Sequence, residues 1–308
     1  MDEMYENEVF ETSSPKTDRY SEAFSKYVTD VDMNAIRKTV EWAKTESVKI
    51  HDTETLKKIM GCIDLTTLKP TDNEDTVLAL VEKVNDFDNI YPDIPNVASV
   101  CVYPCYAGTV SRSLEADNVK TCCVSGGFPS SQTFIEVKIA EASLAIHEGA
   151  EEIDIVQNAG HILNGDYETL AEETDEIKEV CKDRTLKVIL ETGAIAKPED
   201  RMKAALLAMY SGADFIKTST GKEVPGADPE SFCIMCQAIR AYATETGRKV
   251  GIKAAGGIST VGDALVYWCI VKKILGKDWL DREHFRIGAS RLANALLSEI
   301  SGKETNHF

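Results

Sequence analysis

No stretch of this 308-residue chain approaches the ~20 apolar residues that a membrane-crossing helix needs, so no membrane partner is expected. Positive charge is also scarce: 34 Lys and Arg stand against 51 Asp and Glu, a formal net charge of −17. That field repels nucleic acid, and it obliges any anionic small molecule to find locally concentrated cations. The chain carries neither GxGxxG nor GxxxxGK[ST], the glycine fingerprints of dinucleotide and P-loop sites. Histidine is rare, and His51, His147, His161, His284 and His307 lack ligand spacing, so no metal is expected. Cys233-Ile234-Met235-Cys236 has no second pair to answer it and lies in a run of helical period. The nine cysteines therefore read as reduced, mostly buried thiols. The chain has no Asn-x-Ser/Thr sequon, and Met1 to Glu6 is too acidic for a signal or transit segment. A cytoplasmic protein is the expectation.

What is present is an alternation. Residues 1 to about 30 are polar, acidic and aperiodic, and are expected to lie loosely on the surface. From Asp32 to Lys49, Ile36, Val40 and Ala43 recur at helical spacing, predicting one amphipathic helix outside the main core. Short apolar runs then alternate with helical patterns: strands at 61–65, 98–103, 119–124, 152–156, 186–190, around Lys217, around Lys253, and at 285–287. Helices are expected at 54–59, 73–85, 106–116, 134–148, 167–182, 199–210, 229–245, 260–274 and 291–301. Eight βα units in ~250 residues predict a (β/α)8 TIM barrel. Its bounds are read as 53–302, with a helical extension at 1–52 and a tail at 303–308. In a barrel the chemistry gathers at the C-terminal strand ends, where Asp64, Asp154, Lys217 and Lys253 all fall.

Two lysines stand out. Lys217 lies in Asp214-Phe215-Ile216-Lys217-Thr218-Ser219-Thr220-Gly221-Lys222, an apolar run followed by a hydroxyl- and glycine-rich turn. Lys253 lies in the same position of the next strand, before Gly256-Gly257. Taken singly, either is read as a strand-end lysine reaching for solvent. As parallel neighbours they face each other, and two adjacent ammonium groups disfavour one another's charge, which prepares a nucleophilic amine. Asp154, inside an apolar strand, is then either a proton carrier or one end of a structural ion pair. The turns Thr220-Gly221-Lys222, Gly256-Gly257-Ile258 and Gly288-Ala289-Ser290 offer backbone N–H groups at helix starts, where a phosphate fits.

These stretches, with Leu65-Thr66-Thr67-Leu68, Glu152-Ile153-Asp154 and Glu191-Thr192-Gly193, resemble the deoxyribose-phosphate aldolases over residues 53 to 301. The resemblance implies reversible, cofactor-free, Schiff-base cleavage of 2-deoxy-D-ribose 5-phosphate to acetaldehyde and D-glyceraldehyde 3-phosphate in deoxynucleoside catabolism. It implies that Lys217 forms the imine, Lys253 tunes it, and Asp154 moves protons with a water. Asp64, Thr66, Cys101 and Thr220 match substrate-pocket positions, while Gly221, Lys222, Gly256, Gly257, Gly288 and Ser290 match the phosphate site. The long N-terminal extension is similar to that of eukaryotic-type members. Ser259 stands where bacterial members often carry arginine, and Arg291, where some carry a second serine, is the candidate to replace it. The chain ends Asn306-His307-Phe308 where some members have a mobile tyrosine, so no phenol role is expected of the tail. Cys101 is a separate candidate, as a thiol able to add to an imine-bound enal. Two alternatives stay open: a class I aldolase with another donor, or a non-catalytic sugar-phosphate binder or scaffold acting through the acidic segment. A homodimer is expected on base rates.

Overall fold

Short strands bounded by caps and glycines close on themselves in this chain. The structure, a computed structural model, describes Tyr20, Phe24, Tyr27, residues 30–222 and residues 225–308. Strands β1 (Ile63–Thr66), β2 (Ser99–Val102), β3 (Lys120–Ser125), β4 (Glu152–Val156), β5 (Thr185–Ile189), β6 (Phe215–Lys217), β7 (Gly251–Ala255) and β8 (Phe285–Ala289) pair in sequence order, all parallel. β8 closes on β1 through Asp64 opposite Gly288, making the TIM barrel.

Helices clothe the barrel. α1 (Met33–Ser47) and α2 (Thr53–Met60) precede β1, and α3 (Glu74–Ile90), α4 (Ala107–Ser113) and α5 (Ile135–His147) follow the first three strands. After β4 come α6 (Ala159–Asn164) and α7 (Tyr167–Cys181); α8 (Pro198–Tyr210), α9 (Pro229–Thr246), α10 (Val261–Ile274) and α11 (Arg291–Ser301) follow β5 to β8. Their starts are written locally: Asn73 and Thr76 form a capping box on α3, Pro198 and Pro229 open α8 and α9, and Thr260 accepts from the Asp263 amide on α10.

Four expectations need correcting. Helix α1 does not stand apart from the core: Ile36, Val40 and Ala43 are buried in the same contiguous cluster as the barrel helices, against α9 and α10. The helix expected at 106–116 is a 3-10 turn, Pro104–Tyr106, followed by α4, which stops at Ser113 because the Asn85 carboxamide accepts from the Glu115 and Ala116 amides. Helix α6 is an addition, started by the Asn158 cap and ended by left-handed Gly165; six residues are too few to display a period. Strand β8 runs two residues further than its apolar pattern, through Gly288 and Ala289. The expectation for residues 1 to about 30 falls almost wholly outside the described residues, although Phe24 is buried and meets Tyr167 edge-on at 5.2 Å. The 303–308 tail lies on α3 and α11: Phe308 stacks on Phe87 at 5.4 Å and its carbonyl accepts from Asn294 Nδ2. The nine cysteines are free thiols, with Cys233 and Cys236 buried in α9.

Candidate active site

A strand places alternate side chains on one face, and in this barrel the inward positions carry an unusual load of charge. Asp64 of β1, Glu152 and Asp154 of β4, Lys187 of β5, Lys217 of β6, Lys253 of β7 and Arg286 of β8 are all buried. Taking one such ion out of water costs several kcal/mol, roughly, unless it is paired, and here each one is. Lys217 Nζ stands 2.8 Å from Asp154 Oδ2, and Lys253 Nζ stands 2.8 Å from the same oxygen. Lys253 also reaches Asp64 Oδ2 at 2.5 Å. Lys187 Nζ touches Glu152 at 2.5 Å and Asp154 Oδ1 at 2.9 Å, and Arg286 bridges Asp64 at 2.6 Å and Glu152 at 2.9 Å. Beneath them Phe215 fills the barrel, in space left open by Gly251, with the Arg286 guanidinium over its ring.

Lys217 and Lys253 are register partners, as the strand pattern predicts, but Asp154 lies between them. Burial raises the Asp154 carboxyl, and Lys187, Lys217 and Lys253 outweigh it, holding it well below the ordinary carboxylate range. Asp64 follows the same logic: burial pushes up, and Lys253, Lys187 and Arg286 pull further down. Burial lowers Lys253, yet Asp154 and Asp64 overcome it and keep the ammonium above its usual value. Lys253 is thus a fixed positive charge sharing a carboxylate oxygen with Lys217.

Of the three lysines only Lys217 lines the cavity at the C-terminal mouth, a space of about 210 Å³. Thr66, Thr220, Gly221, Lys222, Gly256, Gly257, Gly288 and Ser290 line it too, together with Ser259 and Arg291. The structure therefore brings most of the sequence-derived candidates to one space. Asp64 and Asp154 sit below it in the ion network, fully buried. Cys101 is also fully buried, in a small apolar cluster with Cys122, Val124 and Leu68 rather than on the cavity wall. Its hydrogen bond with Cys122 holds the thiol below its ordinary value. The Thr220 hydroxyl is committed to Glu191 Oε2 at 2.5 Å. Among the described residues no Asp or Glu lines the cavity, whose described charged members are Lys217, Lys222 and Arg291. In a chain of net charge −17 this is a local inversion of sign, suited to an anion.

The glycines of this mouth have steric reasons. A Cβ on Gly226 would stand 2.3 Å from the Gly256 carbonyl oxygen, so the two turns after β6 and β7 meet backbone to backbone. Gly288 lies on the strand rather than in a turn, and a Cβ there would press 3.0 Å from Lys253 Cε. Two sets of buried donors, Cys101 with Cys122 and Asp154, and Asp64 with Cys122 and Glu152, are close enough to hold a metal ion. Lys187 Nζ already occupies that ground, 3.3 Å from Cys122 Sγ and in contact with all three carboxylates.

Sequence reasoning missed Lys187, Glu152 and Arg286. The signal was available: Glu152 and Asp154 are two apart on one strand, and Lys187 and Arg286 are single charges inside apolar runs.

Residues 59–275 match the family described as DeoC/LacD family aldolase. The chain belongs to this aldolase family. A deoxyribose-phosphate aldolase of Bos taurus is 38% identical over 263 residues, covering 82% of this chain and 83% of its own. A deoxyribose phosphate aldolase structure from Aeropyrum pernix, described as tetrameric, superposes with TM-score 0.65 at 26% identity, over 83% of this chain and 96% of that one. A Toxoplasma gondii structure at 22% identity shares the fold, with TM-score 0.73 over 83% of this chain and 97% of its own. In this aldolase the family match thus spans β1 to β7 and includes both facing lysines.

Proposed function

We propose that the protein is a class I aldolase that reversibly cleaves 2-deoxy-D-ribose 5-phosphate to acetaldehyde and D-glyceraldehyde 3-phosphate. The observation that carries this reading is the placement of Lys217: its amine opens on the cavity while its back is held by Asp154 Oδ2, shared with Lys253. Four buried cations, Lys187, Lys217, Lys253 and Arg286, meet three carboxylates, Asp64, Glu152 and Asp154. Of these cations Lys217 is the one that lines the cavity. It is also the lysine with a single carboxylate contact, where Lys253 has two and Lys187 three.

Lys217 Nζ adds to the C1 aldehyde of the open-chain sugar, and loss of water gives the protonated imine. A base takes the C3 hydroxyl proton, the C2–C3 bond breaks, and its electron pair moves to C2 with the iminium as sink. D-glyceraldehyde 3-phosphate leaves an enamine. Protonation at C2 and addition of water then release acetaldehyde and the free lysine. Asp154 relays these protons through a water, and the Lys253 ammonium stays beside it as the fixed positive charge that tunes Lys217. The imine nitrogen is itself the electron sink, so the reading requires neither cofactor nor metal. Thr66 and Thr220 flank the reacting carbons, and Gly221, Lys222, Gly256, Gly257, Gly288 and Ser290 surround the phosphate. Asp64 and Cys101 act from beneath, Asp64 by holding Lys253 and Cys101 by packing with Leu68, Cys122 and Val124 behind the cavity. A cytoplasmic homodimer, with the barrel at 53–302 and the extension at 1–52, completes the proposal.

The test is a cleavage assay that detects both aldehydes. Wild type is expected to produce them in equal amounts and Lys217→Ala none; cleavage surviving in Lys217→Ala rejects the role of Lys217. A preference for a dihydroxyacetone-type donor in the reverse direction would select the other class I aldolase instead.

A further inference from the structure

We infer that the cleft between the α1–α2 junction and the C-terminal end of α10 is a second anion site, separate from the catalytic cavity and suited to a small phosphate monoester. Ile50, Asp52, Thr55 and Lys58 form one wall. Trp268 and Lys272 of α10, with Lys277 and Leu280 of the turn that follows, form the other, around a space of about 300 Å³. Among the described residues, none lines both this cleft and the cavity of Lys217. The lysines here differ from their chain neighbours. Lys57 pairs with Glu54 at 3.6 Å, and Lys273 lies over the Trp42 ring at 4.2 Å. Lys58, Lys272 and Lys277 line the cleft and make no ion pair or hydrogen bond with any described residue. Lys58 and Lys272 each complement the dipole at the end of their own helix. That role alone does not require three ammonium groups from three elements on one cleft, where they repel one another until an anion joins them.

Trp268 points independently to a ligand. It is only 4% exposed, yet its indole N–H has no hydrogen-bond acceptor among the described residues. The nitrogen is not sealed from solvent, so it faces the small opening left to this side chain, on the cleft that Trp268 lines. A buried indole N–H ordinarily finds an acceptor, since it can only donate. The nearby Trp279 does so, donating to the Val250 carbonyl at 3.0 Å. Asp52, the carboxylate among the described lining residues, is committed elsewhere: its Oδ1 accepts from the Thr55 amide and its Oδ2 from the Thr55 hydroxyl, both at 2.9 Å, capping α2. The cleft therefore offers one neutral donor and three cations to an acceptor that the chain does not provide. A phosphate monoester, with a charge of about −1.5 to −2 and three acceptor oxygens, meets all of them. Ile50 and Leu280 leave an apolar surface for a short carbon body.

The test titrates the full-length protein with butyl phosphate and follows tryptophan fluorescence. A saturable change is expected in wild type and, with the same Kd, in Lys222→Ala, whose substitution lies in the catalytic cavity. Lys58→Ala/Lys272→Ala removes two charge-assisted contacts at the surface and is expected to raise that Kd at least about tenfold. Asp52→Asn keeps an oxygen to cap α2 and removes the opposing charge, so it is expected to tighten binding several-fold. Trp268→Phe should abolish the optical change. No saturable change in wild type at millimolar ligand overturns the inference, as does a Kd unmoved by Lys58→Ala/Lys272→Ala. A signal lost in Lys222→Ala would place the ligand in the catalytic cavity and overturn it too. Butanesulfonate binding as tightly as butyl phosphate would contradict the assignment to phosphate. None of these outcomes depends on the aldolase reading, which the cleavage assay tests separately.

Discussion

Asp154 is the residue on which the site turns. One of its oxygens serves Lys217 and Lys253 and the other serves Lys187, so the carboxylate fixes three amines at once. Its position was legible from the sequence, since an acid between Ile153 and Ile155 in a buried strand has to find a partner. The identity of those partners was half legible. Lys217 and Lys253 announce themselves by standing before glycine turns, whereas Lys187 sits in Leu-Lys-Val-Ile-Leu and looks like an ordinary strand with one solvated end. Gly288 shows the opposite error, because a glycine near a strand end reads as a turn when its work is to leave room. The Lys253 side chain crosses the place where a Cβ would be, at 3.0 Å from Cε. Gly288→Ala is therefore expected to displace the Lys253 ammonium from Asp154 and to destabilise the fold by ~1–3 kcal/mol, the usual cost of overpacking. Urea unfolding and kcat measured together check this: both should fall, and a full kcat in the variant would show that Lys253 need not be held there.

At the scale of elements, strand and helix order was readable because each βα unit carries its own punctuation. Caps such as Asn73, Asp166, Asp228 and Thr260 and the left-handed glycines Gly165 and Gly247 mark ends that no long-range contact is needed to explain. What could not be read was where an amphipathic helix puts its face. Helix α1 has the stripe Ile36, Val40 and Ala43, and a stripe specifies a partner without naming it. Its partners are α9 and α10, the helices that frame the β7 turn, so α1 buttresses the barrel beside that turn rather than trailing from it. Register was likewise implicit: with strands of three to six residues, a one-residue slip would turn the whole ion network outward.

For the whole molecule, the buried network makes stability a function of pH in a way whose sign can be stated. Asp64 and Asp154 have folded values below the ordinary 3.8, so they stabilise the fold above that pH and the contribution is lost as pH falls through their folded values. Lys187 and Lys253 lie above 10.5, so their contribution is complete below that pH and is lost as pH rises through their folded values. A melting-temperature plateau is expected between these limits. Asp64→Asn should melt lower at neutral pH, with the gap to wild type narrowing once the pH drops below 3.8; a gap independent of pH would mean that the carboxylate charge is not what stabilises.

The central claim, that an amine at the barrel mouth forms an imine with a two-carbon donor, has a direct covalent test. Borohydride reduction in the presence of acetaldehyde, followed by intact mass and peptide mapping, is expected to leave one ethyl group on Lys217 of the wild type and none on Lys217→Ala. An unmodified wild type, shown to be folded under the same conditions, or an ethyl group on another lysine that persists in Lys217→Ala, would contradict it.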